Sequence, residues 1–166
     1  MSTPSATAIR GATELDVELV LDFVKRLAEY EKLSHEVVAT PERVRAALFG
    51  ARPYAECLIA EVEGQPVGFA LFFHSFSTFV GLPGIYLEDL FVLPEARGRG
   101  VGKALLGRIA ALAVERGCGR LEWAVLDWNE PAIAFYRSLG SRPMDEWTVH
   151  RVTGDALTAL ASARQR

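Results

Sequence analysis

Hydrophobic side chains recur along this chain with two different periods, and the order in which those periods alternate leaves few architectures open. Leu15, Leu19, Phe23 and Leu27 repeat every four residues, with Val20 and Val24 widening the stripe. That spacing predicts an amphipathic helix running to about Tyr30, opened by Thr13 and Asp16 as a capping pair. A second helix is expected from Thr40-Pro41, where proline suits the first turn, to about Phe49. The pattern then changes to that of strands. Glu56 to Val62 reads as a strand, Glu63-Gly64-Gln65 as a tight turn, and Val67 to Ser75 as the returning strand. Gly81 to Gly84 leads into another strand, Ile85 to Leu93, which Pro94 stops.

The longer period returns from Gly100 to Arg116, with Val101, Leu105, Ile109 and Leu112 on one side, and Gly117 and Gly119 end that helix. A strand from Leu121 to Leu126, a helix from about Glu130 to Leu139 closed by Gly140, a last strand from roughly Met144 to Val152 and a short helix after Gly154 follow. Ala8 to Ala12 adds a short first strand, and the polar leader, residues 1–7, is expected to be frayed. One strand, two helices, a three-strand meander, then helix, strand, helix and strand predict an α/β fold with a mixed sheet, antiparallel in its centre. A chain of 166 residues without repeats or a convincing linker reads as one domain, 1–166. Of the large aromatics, Tyr54, Phe76, Phe79 and Trp147 are assigned mostly to the core, with the lining of a ligand site as the alternative.

Composition removes several classes of function. Half of the residues are hydrophobic and 23% are charged, which suits a folded chain rather than a disordered one. A formal net charge of -3 provides no concentrated basic face, so no nucleic-acid partner is expected. No apolar run approaches a bilayer span, and Met1 to Ala8 lack the pattern of a secretory signal, so no membrane partner and a cytoplasmic location are expected. Cys57 and Cys118 lie far apart without metal-ligand spacing and read as buried thiols. His35, His74 and His150 show no ligand spacing either, so no metal site is expected.

The segment Arg97-Gly98-Arg99-Gly100-Val101-Gly102-Lys103 stands between a predicted strand and a strongly periodic helix. Glycines let the backbone turn sharply and approach a ligand, and a helix start offers free N–H groups and partial positive charge. Two arginines and a lysine make phosphate or pyrophosphate the natural guest. A P-loop would need glycine at Arg97 and Ser or Thr at Ala104, and a dinucleotide fingerprint starting at Gly98 would need glycine at Lys103; this chain has neither. The plainer alternative is a strand-to-helix turn with solvated arginines.

A second constellation follows about thirty residues later, Asn129-Glu130-Pro131-Ala132-Ile133-Ala134-Phe135-Tyr136-Arg137-Ser138-Leu139-Gly140. Taken singly, Asn129 is a helix cap, Phe135 a core residue and Tyr136 a packing residue. Taken with the Arg97 loop, the pair resembles the GNAT acetyltransferase superfamily, and the order of predicted elements matches that fold along nearly the whole chain. The resemblance implies a mixed, centrally antiparallel sheet of six to seven strands flanked by helices, and acetyl-coenzyme A as co-substrate. It implies that the amides from Arg97 to Lys103 (Gly98, Arg99, Gly100, Val101 and Gly102 between them) grip the pyrophosphate. Leu90, Phe91 and Val92 would pair with the pantetheine arm where their strand splays from the next. Asn129, Pro131 and Ala132 would contact the cofactor from the other side, and Tyr136 would protonate the departing thiolate.

A closer resemblance lies in Tyr86-Leu87-Glu88-Asp89-Leu90-Phe91-Val92, Trp128-Asn129-Glu130-Pro131 and Leu27-Ala28-Glu29-Tyr30-Glu31. These are similar to the spermidine/spermine (diamine) N-acetyltransferase branch, which includes thialysine acetyltransferases. That branch implies a homodimer, and an acceptor amine met by Glu88, Tyr30 and Glu31, with Glu88 relaying its proton through water. Acidic residues are disfavoured in strands, so Glu88 and Asp89 inside an apolar one call for an explanation of their own. Alternation places the two on opposite faces, with Asp89 either substrate-facing or making a buried hydrogen bond. The alternatives are acetyl transfer to another amine (an amino acid, an aminoglycoside or a protein lysine), a non-catalytic sensor of acetyl-coenzyme A, and a plain structural domain.

Overall fold

The alternating segment folds into the expected meander. β2 (Glu56–Val62), β3 (Gln65–Ser77) and β4 (Leu82–Val92) follow one another as antiparallel neighbours. β1 (Thr7–Gly11) pairs antiparallel with β2, and β5 (Leu121–Trp123) pairs parallel with β4, giving one sheet in the order β1-β2-β3-β4-β5. A computed structural model describes residues 7–163, within two compact units, Met1–Ala124 and Val125–Arg166. Most of the expected leader, residues 1–6, lies outside the described residues, while Thr7 already belongs to β1.

The first unit holds the whole sheet. α1 (Val17–Tyr30) and α2 (Pro41–Phe49) cover one face, where Val20, Phe23, Leu48, Cys57, Ile59, Phe69 and Phe91 form a buried cluster. Phe23 stacks on Phe69 with ring centroids 5.5 Å apart and tilts against Phe91 at 6.1 Å, geometries that aromatic quadrupoles favour. On the other face Leu58, Ala60, Ala70, Phe72, Ile85 and Leu87 are buried too, the last two brought there by a register shift in β4, and α3 (Val101–Glu115) lies against β1 to β4. Both faces are therefore covered, which is why β2 reads as a near-continuous apolar run. The second unit contains α4 (Glu130–Ser138) and α5 (Gly154–Ser162).

Three expectations need correction. Among the described residues the sheet has five strands, not six to seven. β5 stops at Trp123, and Met144 to Val152 joins no ladder among the described residues. In that segment the Trp147 N–H donates to the Met144 carbonyl at 3.1 Å, so a local turn closes the backbone where a strand was expected. Leu15 lies in a 3-10 turn ahead of α1 and is 95% exposed, because the helix itself starts at Val17. Tyr54, Phe76, Phe79 and Trp147 are exposed rather than core; Phe76 and Phe79 project from the β3–β4 hairpin.

The turn ahead of α1 is held by charge. Asp16 receives two bonds from the Arg10 guanidinium at 2.8 Å each, and the Thr13 N–H at 2.7 Å. Arg10 Nε donates to Glu61 at 2.7 Å, so one arginine ties β1, β2 and the entry of α1 together. The Arg10 bonds pull the Asp16 carboxyl down from 3.8 to about 2. Asp16→Asn is expected to lower unfolding free energy by about 2 kcal/mol at neutral pH, read from urea melts. A depressed folded pKa means the contribution is fully present above pH 4. It fades as pH falls towards 2, so the gap between wild type and variant should close over that interval.

Candidate active site

β4 carries the first half of the site. Asp89 pairs with Leu71 but the next register pair is Leu87 with Phe72, so Glu88 is an extra residue in a bulge. The parallel ladder with β5 ends at the same place, on Leu87 and Trp123. Beyond it Glu88 to Val92 keep β3 on one edge and, among the described residues, have no strand on the other. A bulge commonly ends pairing and re-aims side chains, so simple alternation does not carry across Glu88.

Burial, and then the charges of Glu88 and Glu31, push the Asp89 carboxyl up from 3.8 to about 6. Glu31, half-buried at the end of α1, is raised by burial, and the Tyr86 phenol is raised by burial and then by Glu88 and Glu122. Glu88 itself is exposed. Glu31, Glu88 and Asp89 thus form one acidic patch where β4 loses its β5 neighbour. Such a patch can hold an alkylammonium, and a carboxyl titrating near neutrality can accept a proton.

The glycine loop carries the second half. A 3-10 turn, Pro94–Ala96, leads out of β4, and α3 begins at Val101. Gly98 and Gly100 take positive φ values of 71° and 82°, which L side chains adopt at a cost. A Cβ at either would meet nothing within 4 Å, so the need is conformational and the space above the loop is open. The first amides of α3, Val101, Gly102 and Lys103, have no intrahelical acceptor. The Val101 side chain is buried, leaving its N–H for the loop, while Arg99 and Lys103 are exposed and make no ion pair among the described residues. Left-handed glycines, open space, free amides and two uncommitted cations fit a pyrophosphate.

Arg97 departs from the sequence reading. Its Nε donates to the Val92 carbonyl at 2.9 Å, and its guanidinium lies 4.8 Å from the Tyr30 ring centroid and 5.7 Å from that of Phe91. The side chain is turned towards the ends of β4 and α1. Nothing in the linear spacing of Arg97 and Tyr30 signals this stack. Leu90 and Val92 are half-buried and Phe91 is in the core.

In the second unit, Asn129 is buried and caps α4, its Oδ1 accepting from the Ala132 N–H at 3.3 Å. Pro131 occupies the first turn of α4 and is exposed; Ala132 is half-buried. Tyr136 is half-buried, its ring tilted against Phe135 at 5.4 Å. No cluster of three or more potential metal ligands occurs among the described residues.

This combination of bulged strand, splayed edge and glycine turn can be set beside known proteins. The acetyltransferase (GNAT) family matches over residues 24–140, and the chain belongs to that family. It is 42% identical over 164 residues to a thialysine N-epsilon-acetyltransferase of Bos taurus, covering 92% of this chain and 96% of the relative. It is 32% identical to an L-ornithine N5-acetyltransferase of Arabidopsis thaliana, covering 92% and 86%. An integron cassette protein from the mobile metagenome of V. cholerae superposes with a TM-score of 0.77 at 27% identity, over 93% of this chain and 97% of that one. An aminoglycoside acetyltransferase from a soil metagenome, with a TM-score of 0.73 at 17% identity over 89% and 95%, shares the fold.

Gly100→Ala is expected to cost about 1–2 kcal/mol, because the N-cap of α3 stands in the left-handed region. Thermal melts of the variant against Gly107→Ala, a glycine of α3 without positive φ, check this; the second substitution should be neutral or stabilising.

Proposed function

We propose that this N-acetyltransferase moves acetyl from acetyl-coenzyme A directly to a primary amine of a small cationic acceptor, a di- or polyamine or a thialysine-like amine. The observation that carries the choice of acceptor is the acidic patch of Glu31, Glu88 and Asp89 beside the open edge of β4. The 42% identity to a thialysine N-epsilon-acetyltransferase supports the same choice. The family match runs through both compact units, which supports reading them as one acetyltransferase domain.

In this reading the amides from Gly98 to Lys103 hold the pyrophosphate, with charge from Arg99 and Lys103. Leu90, Phe91 and Val92 offer backbone groups to the pantetheine amides, and one N–H there steadies the developing oxyanion. Asn129, Pro131 and Ala132 contribute from the start of α4. Tyr30, Glu31 and Asp89 receive the acceptor. An alkylammonium is protonated at neutral pH, so Glu88 takes that proton through water before the nitrogen attacks the carbonyl carbon. The C–S bond breaks as the tetrahedral adduct collapses; the Tyr136 hydroxyl gives its proton to the thiolate, and the nitrogen passes its second proton back to the Tyr136 oxygen. No acyl-enzyme is needed. Cys57 suits none, since burial pushes its thiol up to about 12.

The same reading includes a homodimer in the cytoplasm. Both cysteines are free thiols, as a reducing compartment favours. No helix among the described residues is long and apolar enough to cross a membrane. Phe76, Phe79 and Val80 expose an apolar hairpin tip that a second copy would cover.

Release of free thiol from acetyl-coenzyme A tests the assignment against spermidine, spermine, putrescine, thialysine, lysine, an aminoglycoside and a lysine peptide. Turnover should favour the polyamines or thialysine, and Tyr136→Phe should reduce it about 100-fold with coenzyme affinity retained. Turnover confined to the aminoglycoside or the peptide would refute the acceptor class. The amine kcat/KM should also fall as pH drops through about 6, where Asp89 takes up a proton. Asp89→Asn should remove that inflection from the pH profile.

A further inference from the structure

Arg97 opens the glycine loop, yet its side chain serves a different part of the molecule. We propose that Arg97 is a positioning residue that sets the acceptor end of α1 against the coenzyme end of β4. The proposal rests on the reading above, in which Tyr30 and Glu31 meet the amine.

Three contacts converge on one guanidinium. Its edge donates to the last carbonyl of β4, Val92 O, at 2.9 Å. Its face covers the Tyr30 ring at 4.8 Å and approaches the Phe91 ring at 5.7 Å. Only arginine supplies an in-plane donor and a stacking face from one group; a lysine ammonium is a point charge.

The end of α1 has a reason to need this support. Tyr30 is its last residue, Glu31 its C-cap, and Lys32 stands at a φ of 61°. The Leu33 N–H closes back to the Ala28 carbonyl at 2.7 Å and the Lys32 N–H to the Glu29 carbonyl at 3.1 Å. This tight reversal normally places glycine where Lys32 stands. A lysine there is locally disfavoured, so the reversal that aims Glu31 depends on tertiary contacts, and the Arg97–Tyr30 stack is one of them. Phe91 and Leu27 anchor the two elements in one apolar cluster below, while Arg97 joins their tips.

The division of labour within the loop follows. Arg99 and Lys103 remain for phosphate charge, and the Arg97 backbone alone stays with the loop. Loss of the Arg97 side chain should therefore disturb the amine more than the coenzyme.

The test is a double-mutant cycle on steady-state kinetics with the best amine of the panel, with acetyl-coenzyme A affinity measured by calorimetry. Both residues are exposed, and urea melts verify that each variant folds. Arg97→Ala and Tyr30→Ala should each raise the amine KM about fivefold to tenfold, and the double variant should be little worse than either. Arg97→Lys, which keeps the charge but loses the planar face, should not rescue. Acetyl-coenzyme A affinity should fall less than about threefold in Arg97→Ala. With an active wild type, additive losses, or a loss confined to coenzyme affinity with an unchanged amine KM, overturn the positioning role alone. A wild-type chain that turned over no amine would overturn the functional reading first and this inference with it.

Discussion

One extra residue in β4 organises this molecule. The bulge at Glu88 interrupts the ladder with β3 and coincides with the end of the parallel ladder with β5. The parallel ladder runs no further than Leu87 and Trp123. Breaking it frees the backbone from Glu88 to Val92 on one side while β3 still holds the other. Asp89, next to the break, lies within electrostatic reach of Glu88 and of Glu31. The open backbone edge and the acidic residues beside it thus lie at a single local irregularity. Bulges concentrate next to active sites because they re-aim side chains without dissolving the sheet.

That irregularity is tolerable because the surrounding sheet is heavily buried. β2 and β3 are covered on both faces, by α1 and α2 on one side and by residues packed towards α3 on the other. Phe23, Phe69 and Phe91 knit α1 to the third and fourth strands near the site. At the opposite end of α1, Arg10 clamps Asp16 and Glu61. One helix is therefore fixed at its entry by a half-buried ion cluster, along its length by aromatic packing and at its exit by the Arg97 stack. Its last residues, Tyr30 and Glu31, can then be presented to a ligand with little loss of conformational freedom.

Positive charge around the loop is distributed rather than pooled. Seven residues contain Arg97, Arg99 and Lys103, which as a linear motif read as one phosphate clamp. Folding separates them by function: Arg99 and Lys103 stay exposed, whereas Arg97 is committed to a carbonyl and two rings. An arginine can be so committed because its planar group satisfies several partners at once. Residues within a motif need not share a duty.

Local rules were enough to read the helices, the meander and the glycine turn. The Thr40 and Asn129 caps, Pro41 and Pro131 in first turns and the glycines that end helices act through neighbours three or four residues away, so their meaning is written in the linear order. The shape of the glycine loop is equally local, since it depends on backbone freedom and a helix start. Other features were not legible. Among the described residues the sheet stops at five strands because pairing needs a partner across space, and Met144 to Val152 finds none. The exposure of Leu15, Phe76 and Phe79 follows from where a turn and a hairpin tip point, which hydrophobicity alone does not specify. The grouping of Tyr30 with Arg97 joins residues more than fifty positions apart. Side-chain periodicity encodes which face a residue occupies on its own element, but only packing of one element on another decides which faces meet.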